Sequence, residues 1–157
     1  MGTNYKGSKE EIRALDTYIK LVRATESLGS RIYRSPHLDG LTYSQFGVLE
    51  ALLHLGPLCQ RELGSKILKS SGNITMVIDN LEKRDLVVRQ RDQKDRRYVT
   101  IHLTSEGKQL IEKVLPAHVA CITQELNRLS PHELEQMAGL LRKLGKGEDK
   151  QSFSNAS

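Results

Sequence analysis

A change in hydrophobic period between residues 70 and 107 constrains the fold of this chain more than any other feature. In the first part of this stretch the apolar residues recur three or four positions apart, and they are Ile74, Val77, Ile78 and Leu81. That spacing predicts an amphipathic helix that buries one stripe. Short apolar runs around Val87 and Ile101 then have the chemistry of strands, on either side of a polar segment from Arg91 to Arg97. The stretch therefore predicts a helix followed by a β-hairpin with a charged tip.

The predicted hairpin carries most of the net charge of the chain. Residues 83–97 hold seven basic and three acidic side chains, a net charge of +4, whereas all 157 residues together carry +5. The basic residues are Lys83, Arg84, Arg89, Arg91, Lys94, Arg96 and Arg97. A concentrated positive field attracts a phosphate backbone, although any exposed hairpin also needs polar residues. The charge therefore indicates a nucleic-acid partner, with a merely solvated hairpin as the alternative.

Helix start and stop signals flank this stretch on both sides. Ser8 followed by Glu11, and Ser130 followed by Glu133, are capping boxes that begin the first and the last helix. Gly56-Pro57 ends the second helix, and a short third helix follows it. The predicted helices outside the opening stretch cover about residues 8–33, 42–55, 59–68, 107–129 and 131–144.

Together these elements predict a mainly α domain over residues 8–144. A winged helix-turn-helix with a two-stranded β-wing occupies about residues 42–107, and dimerisation helices occupy about residues 8–35 and 105–144. Long apolar helices at both ends favour a symmetric pair, although packing on their own winged unit is the alternative. Residues 1–7 are expected to be a flexible start, and residues 145–157 a disordered tail.

Composition excludes several classes of function. No apolar run approaches the roughly 20 residues of a membrane span, and the first residues lack the apolar core of a signal peptide, so we expect a cytoplasmic protein. The two cysteines form no CxxC pair and are expected to be reduced thiols. Phosphate-loop, HExxH and GxSxG motifs are absent from the sequence. We therefore expect neither an enzyme nor a bound cofactor or metal.

Two adjoining runs resemble a known family. The run DQKDRRYVTIHLTSEG, residues 92–107, resembles the wing signature of the MarR family of bacterial transcription regulators. The preceding run, SSGNITMVIDNLEKRDLVVRQ, is similar to that family's recognition helix and first wing strand. A further likeness to the MhqR-like group, which answers quinone-type electrophiles, rests mainly on GSKIL, SSGNITMVIDNLE and LPAH. The resemblance implies a homodimer that binds a pseudo-palindromic operator in double-stranded DNA.

The resemblance also implies roles for individual residues. Arg97 would enter the minor groove, with Asp95 orienting its guanidinium, while Lys94 and Arg96 contact the backbone. For Asp95 the alternative is turn formation alone. The predicted groove-facing residues of the recognition helix are Ser70, Ser71, Asn73, Thr75 and Met76. Each of these could read a base or position a phosphate. Gln45 and Arg61 are candidates for further backbone contacts.

Regulators of this family usually leave DNA when a small molecule or an oxidant acts on them. A repressor released by a small phenolic or quinone-type ligand, or by an electrophile or redox signal, is therefore implied. The candidate sensor residues are Cys59, Cys121 and His118. For Cys59 the alternative is an inert, half-buried thiol. For Cys121 and His118 the alternatives are core packing and a metal site completed by His37 or His54. The oxidation-sensing branch has its cysteine in the first helix, where this chain has none.

One different class of function remains open at this point. A winged-helix fold can serve as a protein-interaction module without operator binding. Such a module predicts little dependence of binding on salt and a wing of mixed charge. The positive hairpin argues against it.

Overall fold

The computed structural model describes residues 4–34, 36–67, 71–91 and 98–146. The helices are α1 (Lys9–Arg34), α2 (Tyr43–Leu55), α3 (Gln60–Lys66), α4 (Ser71–Lys83), α5 (Ser105–Leu126) and α6 (Pro131–Gly145), with a short 3-10 helix at Pro36–Leu38. The strands are β1 (Leu58–Cys59), β2 (Val87–Arg91) and β3 (Val99–Leu103). The chain divides into two compact units, residues 1–121 and residues 122–157. The mainly α winged helix-turn-helix prediction is confirmed.

The predicted capping boxes are present. Ser8 donates its backbone N–H to Glu11 Oε2 at 2.7 Å, and the Glu11 N–H donates to Ser8 Oγ at 3.2 Å. Ser130 and Glu133 make the same reciprocal pair at 2.8 and 3.3 Å. Each box satisfies two backbone groups that the first helical turn would otherwise leave unpaired. The two capping boxes predicted from the sequence therefore lie at the starts of α1 and α6.

The core of the first unit forms around α4. Ile74, Ile78 and Leu81 of its apolar stripe are at most 1% exposed. They pack among buried side chains of α2, α3, β3 and α5, which include Phe46, Leu49, Leu63, Ile101 and Ile111. Fully burying such a side chain contributes about 1.5–3 kcal/mol. The stripe predicted from the sequence therefore sets which face of α4 points outward.

The sheet contains the two predicted wing strands and a third strand that was not predicted. Their order is β1-β3-β2, and β1 pairs with β3 through Leu58 opposite Ile101 and Cys59 opposite Thr100. A strand of two residues is too short to show alternation, so periodicity could not reveal it. Cys59 consequently ends a strand, and α3 begins at Gln60 rather than at Cys59.

The first wing strand, β2, also extends further than predicted. Arg91, predicted to start the turn, is the last residue of β2 and pairs with Val99. Polar residues at the end of an exposed strand lose no backbone hydrogen bonds, so polarity alone did not mark the strand end. The wing therefore keeps regular pairing as far as Arg91 and Val99.

A close backbone approach fixes the hairpin against α5. A Cβ on Gly107 would lie 1.9 Å from the Leu86 carbonyl oxygen, a distance that no side chain tolerates. The Gly107 N–H donates to Thr104 Oγ1 at 3.0 Å, so Thr104 caps α5. The start of α5 therefore sits directly on the junction between α4 and β2.

No helix in the described part of the chain is long and apolar enough to cross a membrane. The predicted flexible start falls partly outside the described residues, which begin at residue 4. The predicted tail is described only for its first residues, because residues 147–157 lie outside.

Candidate nucleic-acid interface

The outward face of α4 is polar and exposed. Asn73, Thr75, Met76 and Asn80 are all exposed, and Met76 keeps 59% of its surface open to solvent. Because the opposite stripe is buried, α4 cannot turn this face inward without losing its core contacts. The helix therefore presents a fixed row of amide, hydroxyl and thioether groups.

A groove runs between this face and the start of α2. Its volume is about 290 Å³, and it is lined by Thr42, Ser44, Gln45, Asn73, Met76, Val77 and Asn80. Ser44 lies in the first turn of α2, where backbone N–H groups have no partner within the helix. The groove therefore combines side-chain hydrogen-bonding groups with the positive end of a helix dipole.

Thr75 is held by a residue that the sequence did not reveal. Gln60, at the start of α3, donates from Nε2 to Thr75 Oγ1 at 2.5 Å. The two residues are 15 positions apart and separated by a turn, so neither periodicity nor a motif signals this pair. The bond joins α3 to α4 and orients the Thr75 hydroxyl.

Arg89 is bound within the fold rather than offered to a partner. Its guanidinium lies on β2 and donates to Asp79 Oδ1 at 2.5 Å and also to Glu82 of α4. Its backbone N–H donates to Glu82 Oε1 at 3.1 Å. Burial alone would lower the pKa of Arg89, but the hydrogen bonds that it donates to the two carboxylates outweigh burial and raise that pKa. The wing is thereby tied to α4.

The count of basic residues in the hairpin therefore overstated the free positive charge. Besides Arg89, Arg84 is engaged within the fold and donates from Nη1 to the Gly40 carbonyl oxygen at 3.3 Å. Lys83 and Arg91 are exposed. The two carboxylates that bind Arg89, Asp79 and Glu82, lie on α4 before residue 83, so the net charge of residues 83–97 does not include them.

Comparison with known proteins decides the family. A family model described as transcriptional regulator SarA/Rot matches residues 34–114. The chain is 38% identical over 139 residues to the HTH-type transcriptional regulator YkoM of Bacillus subtilis, covering 88% of this chain and 90% of that protein. It is 35% identical over 133 residues to the HTH-type transcriptional regulator MhqR of the same organism, covering 85% and 92%. Both relatives share nearly their full length with this chain.

Solved structures agree with the sequence relatives. Sco3205 of Streptomyces coelicolor, a MarR family transcriptional regulator solved in complex with DNA, is similar with a TM-score of 0.79 at 20% identity, covering 96% of this chain and 97% of that one. BpsR of Bordetella bronchiseptica, whose DNA binding is regulated by 6-hydroxynicotinic acid, is similar with a TM-score of 0.72 at 30% identity, covering 82% and 98%. This chain belongs to the MarR family. It is a winged helix-turn-helix transcription regulator, as its two signature runs predicted.

The remaining predicted contacts of this MarR-family regulator fall partly outside the described residues. Ser70, Lys94, Asp95, Arg96 and Arg97 lie outside them, and Ser71 opens α4 with its side chain not described. Their predicted roles therefore stay predictions. Gln45 is 8% exposed, and its Oε1 accepts the Thr42 N–H at 2.9 Å in the capping box of α2, so this atom is already engaged. Arg61 is exposed on α3.

The three candidate sensor residues occupy different surroundings. Cys59 pairs with Thr100 in the sheet, and its backbone N–H donates to Glu62 Oε2 at 2.8 Å. Cys121 lies on α5, and both cysteines are free and half-buried. His118 is only 4% exposed, and its Nδ1 lies 2.8 Å from His37 Nε2. The structure therefore places His118 with His37 and in no cluster with Cys59.

The metal site considered as an alternative would need more ligands than the described residues bring together. Within the described ranges, no three His, Cys, Asp or Glu side chains converge on one point. His37 and His118 supply two nitrogen atoms, fewer than the four ligands that structural zinc sites use.

Proposed function

We propose that this chain is a cytoplasmic homodimeric repressor that reads a pseudo-palindromic operator in double-stranded DNA. In this proposal α4 enters the major groove, and the wing formed by β2 and β3 reaches the flanking minor groove. The observation that carries it is the exposed polar face of α4, held outward because Ile74, Ile78 and Leu81 on the opposite side are buried. A fixed polar helix face beside a basic hairpin fits the grooves and phosphates of DNA, and a winged helix without a nucleic-acid partner would not require this arrangement.

The chemistry of α4 suits base edges and phosphates. Asn73 can make a bidentate contact with adenine, and Met76 can touch a thymine methyl. Thr75, Ser70 and Ser71 suit phosphate oxygens, together with the N-terminal amides of the helix. The groove beside Ser44 would admit a phosphate at the positive end of α2. These contacts would set both register and sequence preference.

The wing supplies the second contact in this proposal. Arg97 would enter the minor groove, where a narrow groove concentrates negative potential. Asp95 would hold the guanidinium plane by a charge-assisted bond. Lys94 and Arg96 would contact the backbone on either side. The ion pairs of Arg89 would keep the hairpin at a constant angle to α4.

Unburied apolar surface supports the dimer. On α6, Leu140, Leu141 and Leu144 are 68%, 43% and 65% exposed, and no residue of this helix is buried. On α1, Ile32 alone is buried among 26 residues. Helices with such stripes need a partner surface, and a second copy provides it in a twofold arrangement that matches a palindromic site. Leu140→Asp with Leu144→Asp is expected to give monomers in analytical ultracentrifugation.

Release by a small phenolic or quinone-type ligand, or by an electrophile, is the regulatory part of the proposal. BpsR, 30% identical to this chain, provides the precedent of a small aromatic acid that regulates DNA binding. Cys59 and Cys121 are both half-buried thiols, so a small electrophile has access to part of each. A Cys59→Ser/Cys121→Ser variant is expected to stay on DNA when a quinone is added. Release equal to that of the wild type would point to a non-covalent ligand.

The DNA-binding proposal is tested by selecting bound fragments from genomic DNA and titrating the selected duplex by fluorescence anisotropy. Binding is expected to weaken steeply as salt rises. Arg97→Ala should cost about 1–3 kcal/mol of operator binding. Lys143→Ala, the same change of charge on α6, is the control and should leave binding nearly unchanged. No preference for any duplex, or affinity that ignores salt, would favour a protein-interaction module instead.

A further inference from the structure

A pair of histidines joins two distant parts of the first unit. His37 lies in the 3-10 helix between α1 and α2, and His118 lies on α5, 81 residues later. His37 Nε2 and His118 Nδ1 are 2.8 Å apart, and the ring centroids are 5.1 Å apart and stacked. His118 also packs on Phe46 of α2 at a centroid distance of 4.4 Å. The pair therefore bridges the α1–α2 connection, α2 and α5.

The bridge needs one shared proton. Two nitrogens at 2.8 Å form a hydrogen bond only when one carries a proton and the other a lone pair. In the neutral pair this condition is met. If both imidazoles are protonated, two N–H groups face each other and the bond is lost. The bridge is therefore a contact that acid removes.

Addition of the first proton is already unfavourable. His37 Nδ1 is buried and has no hydrogen-bond partner among the described residues. Whichever ring takes the extra proton, retaining the shared bond leaves an N–H at His37 Nδ1. An unsatisfied buried donor is costly, and so is a buried charge. The surroundings therefore favour the neutral pair.

The charged and titratable groups around the pair do not offset this cost. The ring centroid of Tyr43 on α2 lies 5.9 Å from that of His118, and Tyr33 of α1 packs against Tyr43 with tilted rings at a centroid distance of 4.3 Å. Glu50 of α2 is the acidic group that acts on His118, and its attraction is outweighed. Burial first, and then the neighbouring His37, lowers the pKa of His118 in spite of Glu50.

We propose that His37 and His118 form an acid-sensitive latch between the α1–α2 connection and α5, and that acidification from pH 7.5 to 5.5 opens it and weakens operator binding. The consequence for DNA rests on the proposed function. On α5, Gly107, Ile111, Val114 and His118 are the buried residues, so the latch is the last point at which this helix is held in the core. Opening it loosens a helix that leads towards the proposed dimer surface.

A second bond across the same connection serves as an internal control. Lys113 of α5 donates to Asp39 Oδ2 at 2.8 Å, next to the 3-10 helix. The hydrogen bond from Lys113 lowers the pKa of Asp39, so this carboxylate stays charged between pH 7.5 and pH 5.5. Asp39→Asn is therefore expected to loosen the connection equally at every pH.

The sign of the effect follows from the direction of the shift. A histidine whose pKa is lowered in the closed state favours that state fully above its ordinary pKa of 6.5. The preference fades as the pH falls below 6.5, because the open state binds the proton more readily. Operator affinity should therefore fall as the pH drops from 7.5 to 5.5, and most of the fall should lie below pH 6.5.

The test compares the wild type with His37→Gln/His118→Asn at constant ionic strength. The side-chain amides of the variant can replace the two facing ring nitrogens with a donor and an acceptor that do not titrate. The variant should bind as the wild type does at pH 7.5 and should lose the fall at pH 5.5. His132→Gln, on exposed α6, should keep the full fall. An equal fall in the double variant, or none in the wild type, would overturn the latch.

A measurement without DNA separates this inference from the proposed function. Amide hydrogen exchange in α5 around Val114 and His118 should speed up below pH 6.5, after correction for intrinsic rates, and should not do so in the double variant. If exchange responds and no operator is ever found, the latch stands and the DNA proposal fails. If exchange is identical in both proteins, the latch is wrong.

Discussion

The guanidinium of Arg89, on the first wing strand, lies 2.5 Å from Asp79 Oδ1 on the recognition helix α4. Glu82, one turn further along α4, holds the same guanidinium and the Arg89 backbone N–H. The arginine therefore couples the two elements that are proposed to enter adjacent grooves. Its charge serves their relative orientation and is not available to a phosphate.

Arg89→Met and Arg91→Met should separate these two uses of an arginine. Arg91 is exposed on the same strand, so Arg91→Met should reduce the slope of log affinity against log salt concentration by about 1. Arg89→Met should leave the salt slope unchanged. It should lower the free energy of unfolding by about 1 kcal/mol, because a partly exposed ion pair is screened by water. Salt titrations and urea unfolding measure the two effects. A reduced salt slope for Arg89→Met would show that its charge reaches the DNA.

Gly107→Ala should destabilise the winged unit. The added methyl would meet the Leu86 carbonyl oxygen at 1.9 Å, and that oxygen belongs to the backbone between α4 and β2. Overpacking of this kind costs about 1–3 kcal/mol or more. Gly139→Ala is the matched control, since a Cβ there meets no described atom within 4 Å and alanine favours α6 by about 0.5–1 kcal/mol. Thermal unfolding should therefore shift in opposite directions. Equal melting temperatures would contradict the close approach.

Asn73→Ala and Met76→Ala should change which operators are preferred. Both side chains are exposed on α4 and line the groove beside α2, so removing either leaves the core intact. Each should cost about 1–3 kcal/mol on the preferred duplex and less on a duplex changed at the base it reads. Asn80→Ala, one turn further along α4, is the comparison variant. Selection from randomised duplexes measures the preferred sequence of each variant. An unchanged preference would mean that these residues position phosphates and do not read bases.

The capping glutamates should make stability depend on acid. The pKa values of Glu11, Glu62 and Glu133 are lowered, first by the backbone N–H of the capping residue and then by its side chain. A lowered pKa means that their contribution is complete above 4.5 and is lost as the pH falls below that value. A triple Glu→Gln variant should melt below the wild type at pH 6, and the difference should shrink towards pH 3. A constant difference would show that the negative charge plays no part.

Much of the fold could be predicted because its signals are local. The stripe from Ile74 to Leu81 and the boxes at Ser8 and Ser130 each depend on residues three or four positions apart, and the structure confirms them. The family could also be predicted, because the runs that carry the likeness are contiguous.

The two-residue strand β1 could not be predicted, since its pairing partner Ile101 lies 43 residues later and its own length gives no period. The same holds for Gln60 on Thr75. No local sequence pattern around either residue predicts their contact.

The sequence by itself determined the helices, the two wing strands, the caps of α1 and α6, the basic hairpin and the family, because these follow from neighbours along the chain. Only the tertiary structure decided that Arg89 forms an ion pair with Asp79 and that Gly107 must lack a side chain beside Leu86. It also decided that the His118 and His37 rings lie within hydrogen-bond distance. The physical reason is that charge pairing, close packing and buried hydrogen bonds depend on distance in space. That distance is set only when the apolar stripes of α2, α4 and α5 have packed into one core.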